Sequence, residues 1–99
     1  MEVRIQAIHF DASEKLQEFI QKKVAKLEKY CDDIKKVEVS LKVVKPETVM
    51  NKEAGIKVLA LNSDFFAEKV SDTFEESIDA CVEALSKQLT KSKEKLRGK

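Results

Sequence analysis

The sequence predicts an α+β domain with the element order β-α-β-β-β-α, in which two helices pack on one face of a four-stranded antiparallel sheet. Three observations lead to this prediction. Several segments alternate polar and apolar residues, as strands with one buried face do. Two longer segments repeat apolar residues every three or four positions, as helices do, and both follow capping residues.

The first strand is predicted over residues 3–10, where polar and apolar side chains alternate. Asp11 and Glu14 fit a capping box, which predicts a helix from this point to about Tyr30. The apolar stripe of this helix consists of Leu16, Phe19, Ile20, Val24, Leu27 and Cys31. Spacings of three and four throughout place these six side chains on one face of the helix.

Three further strands are predicted in the middle of the chain. Residues 36–44 alternate cleanly, with one apolar and one polar face, which is typical of an antiparallel sheet with one face in water. Residues 56–61 and 65–70 are predicted as the third and fourth strands, joined by a turn at residues 62–63. Residues 45–55 contain the single proline of the chain and are expected to form a loop or a frayed hairpin end.

A second, longer helix is predicted to run to about Leu96. Two overlapping capping pairs are available at its start: Asp72 with Glu75, and Thr73 with Glu76. Its apolar stripe consists of Phe74, Ile78, Cys81, Val82, Leu85, Leu89 and Leu96. At 1.5 Å per residue this helix would be about 35 Å long, so its C-terminal end is expected to extend beyond the sheet.

The charges of this second helix are separated by sign. Residues 72–85 contain five acidic side chains and no basic one, whereas residues 86–99 contain six basic side chains and one acidic, Glu94. The whole chain carries a net charge of only +1. Favourable interaction with the helix dipole accounts for about two or three lysines in a last turn. The remaining excess predicts a polyanionic partner.

Lysines also recur at helical spacing, so that each predicted helix carries a basic ridge. The ridge of the first helix consists of Lys15, Lys22, Lys26 and Lys29, and that of the second consists of Lys87, Lys91 and Lys95. Lys23 lies elsewhere on the circumference of the first helix. If the helices pack side by side with their C-terminal ends together, the two ridges border one basic groove. Such a groove predicts nucleic-acid binding.

RNA is favoured over DNA as the nucleic acid. The sequence contains no helix-turn-helix spacing, zinc site or basic-zipper heptad. The aromatic side chains that could stack on unpaired bases are few: Tyr30, Phe65 and Phe66. We therefore expect contacts with the backbone and shape of the RNA to dominate.

Composition and motifs argue against other classes of protein. No apolar run reaches the roughly 20 residues of a transmembrane helix, and no secretory signal is recognised, so a soluble cytoplasmic protein without a membrane partner is expected. His9 is the single histidine, and no catalytic or nucleotide-binding motif occurs. Cys31 and Cys81 match neither a metal knuckle nor a redox pair and are expected to be reduced thiols. We expect no enzyme activity, small-molecule substrate, cofactor or metal.

Two segments of the chain resemble a known family. They are residues 9–43, HFDASEKLQEFIQKKVAKLEKYCDDIKKVEVSLKV, and residues 77–99, SIDACVEALSKQLTKSKEKLRGK. They are similar, in order and interval, to the ribosome hibernation promoting factors, also called ribosome-associated inhibitors, subunit interface proteins or sigma-54 modulation proteins. The family patterns are a helix that ends K-L-E-x-Y before V-x-V-x-L-K-V, and a C-terminal A-I-D…L…Q-L-x-K-x-K-x-K-L.

The resemblance implies the same fold and a function. Members of this family bind 16S rRNA of the small ribosomal subunit, in the channel for mRNA and for the A- and P-site tRNAs. By occupying that channel they block translation in starvation or stationary phase. The rRNA contacts that the resemblance implies are Lys22, Lys26, Lys29, Lys87, Lys91, Lys93 and Lys95.

The resemblance leaves some alternatives open. Thr73 and Glu75 stand where the family usually has an acidic and an aromatic residue, although Phe74 would supply a ring one residue earlier. The chain resembles a short form, with residues 1–99 as a single ribosome-binding domain and no C-terminal dimerisation domain. It would inactivate single ribosomes, or support ribosome dimers with another factor. Two alternative functions stay open. The chain could act as a double-stranded RNA-binding module that is not specific to ribosomes, since such domains have a similar topology, or as a protein-interaction modulator.

Overall fold

The computed structural model describes residues 2–8, 11–31, 33–44, 51–61 and 63–97. Its elements are β1 (Glu2–Ala7), α1 (Glu14–Ala25), a short 3-10 helix (Lys26–Lys29), β2 (Ile34–Val43), β3 (Lys52–Ala60), β4 (Asp64–Ser71) and α2 (Phe74–Arg97). The predicted α+β class and element order are confirmed. His9, Asn62 of the predicted turn and residues 45–50 of the predicted loop lie outside the described residues, as do the side chains of residues 93–97.

The four strands lie in the order β1-β2-β3-β4, and the sheet is mixed rather than wholly antiparallel. β1 runs parallel to β2, with Val3 opposite Val37. β2 and β3 are antiparallel, as are β3 and β4. The expectation of an antiparallel sheet is therefore wrong for β1. The physical reason is that α1 connects β1 to β2, and a helical crossover returns the chain to the end of the sheet from which a parallel strand must start.

β3 begins earlier than the sequence predicts. Its pairing with β2 continues to Val43 and Lys52, within the stretch that was expected to be a loop. Beyond this pair, the Val44 N–H donates a hydrogen bond of 2.8 Å to the Asn51 carbonyl. The β3 arm of the hairpin therefore starts at Lys52 rather than at Ile56, whereas the β2 arm ends close to its predicted end.

Both helices pack on the same face of the sheet, as predicted. The core lies between them and the two central strands. Its fully buried apolar side chains include Ile20, Val24, Leu27, Val37, Leu41, Ile56, Val58, Ile78 and Leu85. None of the described helices lies over the opposite face of the sheet, which carries the polar side chains of the alternating pattern.

Hydroxyl side chains cap both helices. The Leu16 N–H donates to Oγ of Ser13 at 3.1 Å, so Ser13 rather than Asp11 is the N-cap of α1. Asp11 is two residues too early, because the capping side chain must belong to the residue directly before the first helical one. For α2, the Glu76 N–H donates to Oγ1 of Thr73 at 3.1 Å, which selects the second of the two predicted pairs.

The first helix changes its winding before its predicted end. Four residues, Lys26–Lys29, form a 3-10 helix, which repeats every three residues rather than every 3.6. Lys26 and Lys29 therefore lie on one line, and Tyr30 lies in line with the buried Leu27. The Tyr30 N–H donates to the Leu27 carbonyl at 3.0 Å. Such tightening is common at the C-terminal ends of helices.

Two small side chains of α2 are buried against the sheet with hydrogen-bond partners. Ser77 Oγ donates to the Lys52 carbonyl at 2.5 Å, and Cys81 Sγ donates to the Ala54 carbonyl at 3.2 Å. Burial raises the pKa of the Cys81 thiol to about 11, so the thiol is protonated at neutral pH and packs as a small apolar group. Neither Cys81 nor the half-buried Cys31 forms a disulfide.

Candidate nucleic-acid interface

The two helices lie side by side and run in the same direction. Lys23, near the end of α1, places Nζ 2.9 Å from Oδ1 of Asp79, in the second turn of α2. Further along both helices, Tyr30 lines one cavity together with Lys87 and Lys91. Because contacts follow the same order along the two helices, the C-terminal end of the first helix lies beside the basic half of α2. The predicted groove depends on this arrangement.

The lysines of the first ridge face solvent. Lys22 lies in the last turn of α1, and Lys26 and Lys29 lie in the 3-10 helix; all three are exposed. They occupy the side of the helix away from the buried stripe that ends at Leu27. The three-residue repeat keeps Lys29 in line with Lys26, so the ridge continues to the end of the helix.

The lysines of the second ridge also face solvent where they are described. Lys87 and Lys91 are exposed on successive turns of α2. Lys93 and Lys95 belong to α2, but their side chains lie outside the part of the chain that the structure describes. Leu89 is the last buried side chain described in α2, and Lys87 and Lys91 flank it on the exposed side of the helix.

Acidic side chains of α2 mark the boundary of the basic surface. Asp79 binds Lys23, whose ammonium group also lies 5.3 Å from the centre of the Phe19 ring. This agrees with the prediction that Lys23 lies outside the ridge. One turn further along α2, Glu83 Oε1 lies 3.6 Å from Nζ of Lys87, and both side chains are more than 70% exposed (73% and 78%). The net positive potential therefore begins beyond Glu83.

A cavity of about 500 Å³ lies where the end of the first helix meets α2. Its lining residues are Tyr30, Glu83, Ser86, Lys87, Thr90 and Lys91. Tyr30 is 37% exposed, so part of its ring is open to solvent beside two ammonium groups. The cavity therefore combines an aromatic surface, two cations, two hydroxyl groups and one carboxylate.

The two lysines of this cavity were predicted from the sequence, but its polar neighbours Glu83, Ser86 and Thr90 were not, because they belong to no motif. Their place in the cavity can be deduced from the four-residue spacing along α2 only when the side of α2 that faces the first helix is known. Tyr30 was one of three aromatic candidates for stacking, and its position beside Lys87 depends on the direction of the two helices, which composition does not give.

The open face of the sheet has a different character. Arg4, Glu38 and Lys57 lie opposite one another on adjacent strands, followed by the exposed ring of Phe66 on β4. These residues line a shallow cavity of about 380 Å³. Charges of alternating sign across the strands favour their own neighbours over a polyanion. The helical face is therefore the better candidate for nucleic acid.

Within the described residues, no three or more His, Cys, Asp or Glu side chains are grouped so that they could hold a metal ion. None of the described helices has the length and apolar character needed to cross a membrane.

The sequence matches a family model over most of its length. The model is described as "Sigma 54 modulation protein / S30EA ribosomal protein" and matches residues 3–97. A ribosome hibernation promoting factor of Escherichia coli K12 is 34% identical over 102 residues, and one of Salmonella typhimurium LT2 is 30% identical over 97 residues. Each alignment covers 98% of this chain and 98% of the relative.

Two solved structures have the same fold. A ribosomal subunit interface protein from Coxiella burnetii has a TM-score of 0.84 at 24% identity, covering 94% of this chain and 98% of that one. The N-terminal domain of Thermus thermophilus Protein Y has a TM-score of 0.79 at 20% identity, covering 92% of this chain and 98% of that one. At these identities the likeness is one of fold.

Proposed function

Because the chain belongs to the sigma-54 modulation protein / S30EA ribosomal protein family, we propose that it binds ribosomes and inhibits translation as a hibernation factor. The resemblance drawn from residues 9–43 and 77–99 is confirmed by the family match. Relatives named for ribosome hibernation, and a structural neighbour named for the ribosomal subunit interface, support the ribosome as the partner.

The observation that supports this proposal is the parallel packing of the two helices, which places the end of the first helix beside the basic half of α2. Lys22, Lys26 and Lys29 lie toward that end of the first helix, Lys87 and Lys91 lie on α2, and all five side chains are exposed. Like charges on neighbouring helix ends repel one another, and a polyanion offsets that repulsion. Phosphate groups of RNA supply negative charge at regular spacing.

The finer proposal concerns the place and manner of binding. The partner is 16S rRNA of the small subunit, in the channel that mRNA and tRNAs occupy, and Lys93 and Lys95 extend the contacts along α2. Inhibition results from occupation of that channel and needs no catalytic step. The molecule is narrow for its length, with extents of 49 × 23 × 17 Å, which suits a cleft. The site of action is the cytoplasm, in starvation or stationary phase.

Binding through phosphates makes affinity steeply dependent on salt. Each neutralised phosphate contributes a slope of about −0.7 to −0.9 in a plot of log affinity against log salt. If about five phosphates are contacted, a four-fold increase in salt lowers the affinity roughly 100- to 500-fold.

The test is sedimentation with ribosomes in sucrose gradients. The wild-type chain is expected to travel with the small subunit at low salt. The Lys87→Glu and Lys91→Glu double variant is expected to stay at the top of the gradient, because two cations of the ridge have become anions. Both side chains are exposed, so circular dichroism of the variant should match that of the wild type.

A matched control is the Lys42→Glu and Lys57→Glu double variant. It makes the same change in net charge at two exposed lysines on the open face of the sheet. It is expected to sediment with ribosomes as the wild type does. Equal sedimentation of the two double variants, whether both bind or both fail, would overturn the assignment of the helical face.

The alternative of a general double-stranded RNA-binding module makes a different prediction. Such a module would shift a naked RNA duplex in a gel at the concentrations at which it binds ribosomes. A hibernation factor is expected to prefer assembled subunits over a duplex at the same salt. Tight binding to the naked duplex would favour the module.

A further inference from the structure

The backbone of Tyr30 is anchored at the end of the first helix, and its ring is partly exposed. Its N–H donates to the carbonyl of Leu27, and the Leu27 side chain is fully buried in the core. The residue therefore has a fixed position at the end of the 3-10 helix, while 37% of its surface stays open to solvent. An aromatic surface that is both anchored and open is suited to stacking.

The groups around the ring favour a nucleotide over an apolar ligand. Lys87 and Lys91 line the same cavity, and so does the exposed Thr90. Ser86 Oγ is already engaged, since it donates to the Val82 carbonyl at 2.8 Å. Apolar ligands gain nothing from two exposed cations, whereas a base with flanking phosphates uses the ring and the cations together.

We propose that Tyr30, Lys87 and Lys91 form a subsite for one unpaired nucleotide of the bound RNA. The base stacks on the Tyr30 ring, and the two lysines contact the phosphates on either side of it. This inference rests on the proposed function and adds to it a contact with a base. A base inside a duplex has no free face, so the subsite takes a bulged, looped or single-stranded nucleotide.

The first test compares substitutions of Tyr30 in ribosome binding. Tyr30→Leu removes the ring and is expected to weaken binding about 5- to 150-fold, the effect of losing one base–aromatic stack. Tyr30→Phe keeps the ring and is expected to bind nearly as the wild type does. The salt dependence of Tyr30→Leu should equal that of the wild type, because no cation is lost. Phe66→Leu, at an exposed ring on the open face of the sheet, is the matched control and should have no effect.

The outcomes separate this inference from the proposed function. Wild-type affinity in Tyr30→Leu, together with loss of binding in the Lys87→Glu and Lys91→Glu variant, would overturn the subsite and leave the function standing. Equal loss in Tyr30→Leu and Tyr30→Phe would also overturn it, because stacking needs the ring and not the hydroxyl. Failure of the wild type to bind ribosomes would overturn both.

The second test observes the ring directly. Tyr30 is the single tyrosine of the chain, so protein labelled with ¹³C in tyrosine rings gives one set of ring signals. A short oligoadenylate is expected to move these signals upfield by the ring current of the stacked base. An abasic oligonucleotide with the same number of phosphates should leave them nearly unmoved. Equal shifts with both probes, or none with the oligoadenylate, would overturn the proposal.

Discussion

The Lys23 ammonium group lies 2.9 Å from the Asp79 carboxylate, and this ion pair joins the end of α1 to the start of α2. The side chains are 27% and 53% exposed, so water screens the pair and its contribution to stability is small. Its position is more important than its strength. The pair connects the two helices before the basic half of α2 begins, and it removes one lysine from the surface proposed to bind RNA.

Substitution of Asp79 tests whether the pair matters less for stability than for the charge of the proposed RNA-binding surface. Asp79→Asn is expected to lower the free energy of unfolding by less than about 1 kcal/mol, as for other partly exposed ion pairs. Ribosome affinity should rise, because a negative charge disappears and Lys23 is released. Urea denaturation measures the first effect, and sedimentation at several salt concentrations measures the second. A double-mutant cycle of Lys23→Gln and Asp79→Asn isolates the interaction energy of the pair. Loss of ribosome binding in Asp79→Asn would contradict the prediction.

If Lys87 contacts RNA as proposed, Glu83 is expected to compete with the RNA for it. The pair is separated by 3.6 Å and is largely exposed, so it contributes little to stability. Glu83→Gln is expected to strengthen ribosome binding several-fold and to leave the free energy of unfolding within about 0.5 kcal/mol of the wild type. Glu68→Gln makes the same charge change on β4 and serves as the control. If the two variants gain equally, the effect is one of net charge and not of the Lys87 pair.

The buried thiol of Cys81 predicts a loss of stability at alkaline pH. Burial raises the pKa of Cys81 from 9.0 to about 11. As the pH rises through 9, the unfolded chain releases this proton while the folded chain keeps it. The unfolded state is then favoured, so the free energy of unfolding falls between about pH 9 and pH 11.

Comparison of cysteine variants isolates this effect from other groups that titrate in the same range. Cys81→Ala should show a shallower fall in the free energy of unfolding over this interval than the wild type. Alkylation of the native protein at neutral pH is expected at Cys31 before Cys81, since Cys81 is fully buried and Cys31 is not. Identical slopes in the wild type and Cys81→Ala would refute the assignment.

Substitution of Gly55 tests the packing of the open face of the sheet. A Cβ at this position would lie 3.1 Å from Ser40 Oγ and 3.5 Å from two carbons of the Phe66 ring. Gly55→Val is therefore expected to lower the free energy of unfolding by about 1–3 kcal/mol through overpacking. Addition of Ser40→Ala should restore part of the loss. Ribosome affinity should stay unchanged at temperatures where the variant is folded, because this face lies opposite the helices.

The two helices could be predicted because their apolar residues recur at one period and fill one core. The direction of β1 could not be predicted, because the alternation of Val3 and Ile5 with polar residues is the same in a parallel and in an antiparallel strand. The early start of β3 was hidden because Gly55 supplies no side chain to the alternation. What packs there is the ring of Phe66, which comes from another strand.

Some features of the candidate site could likewise be predicted from the sequence, and others could not. The spacing of Lys22, Lys26 and Lys29 predicts a ridge, because neighbours along a helix are determined locally. The meeting of Tyr30 with Lys87 depends on two helices that lie far apart in sequence, so only the tertiary structure shows it. The change from α-helix to 3-10 helix could not be predicted either, because a run of four residues is compatible with both kinds of helix.

That change of winding determines where the Tyr30 ring points. A residue in a 3-10 helix turns by about 120° and one in an α-helix by about 100°, so the three steps from Leu27 to Tyr30 accumulate a difference of about 60°. If α1 continued unchanged through Lys26–Lys29, the ring would rotate away from its line with Leu27, although no residue of the cavity had been altered. The orientation of an RNA-stacking surface would thus be governed by the pitch of a single helical turn.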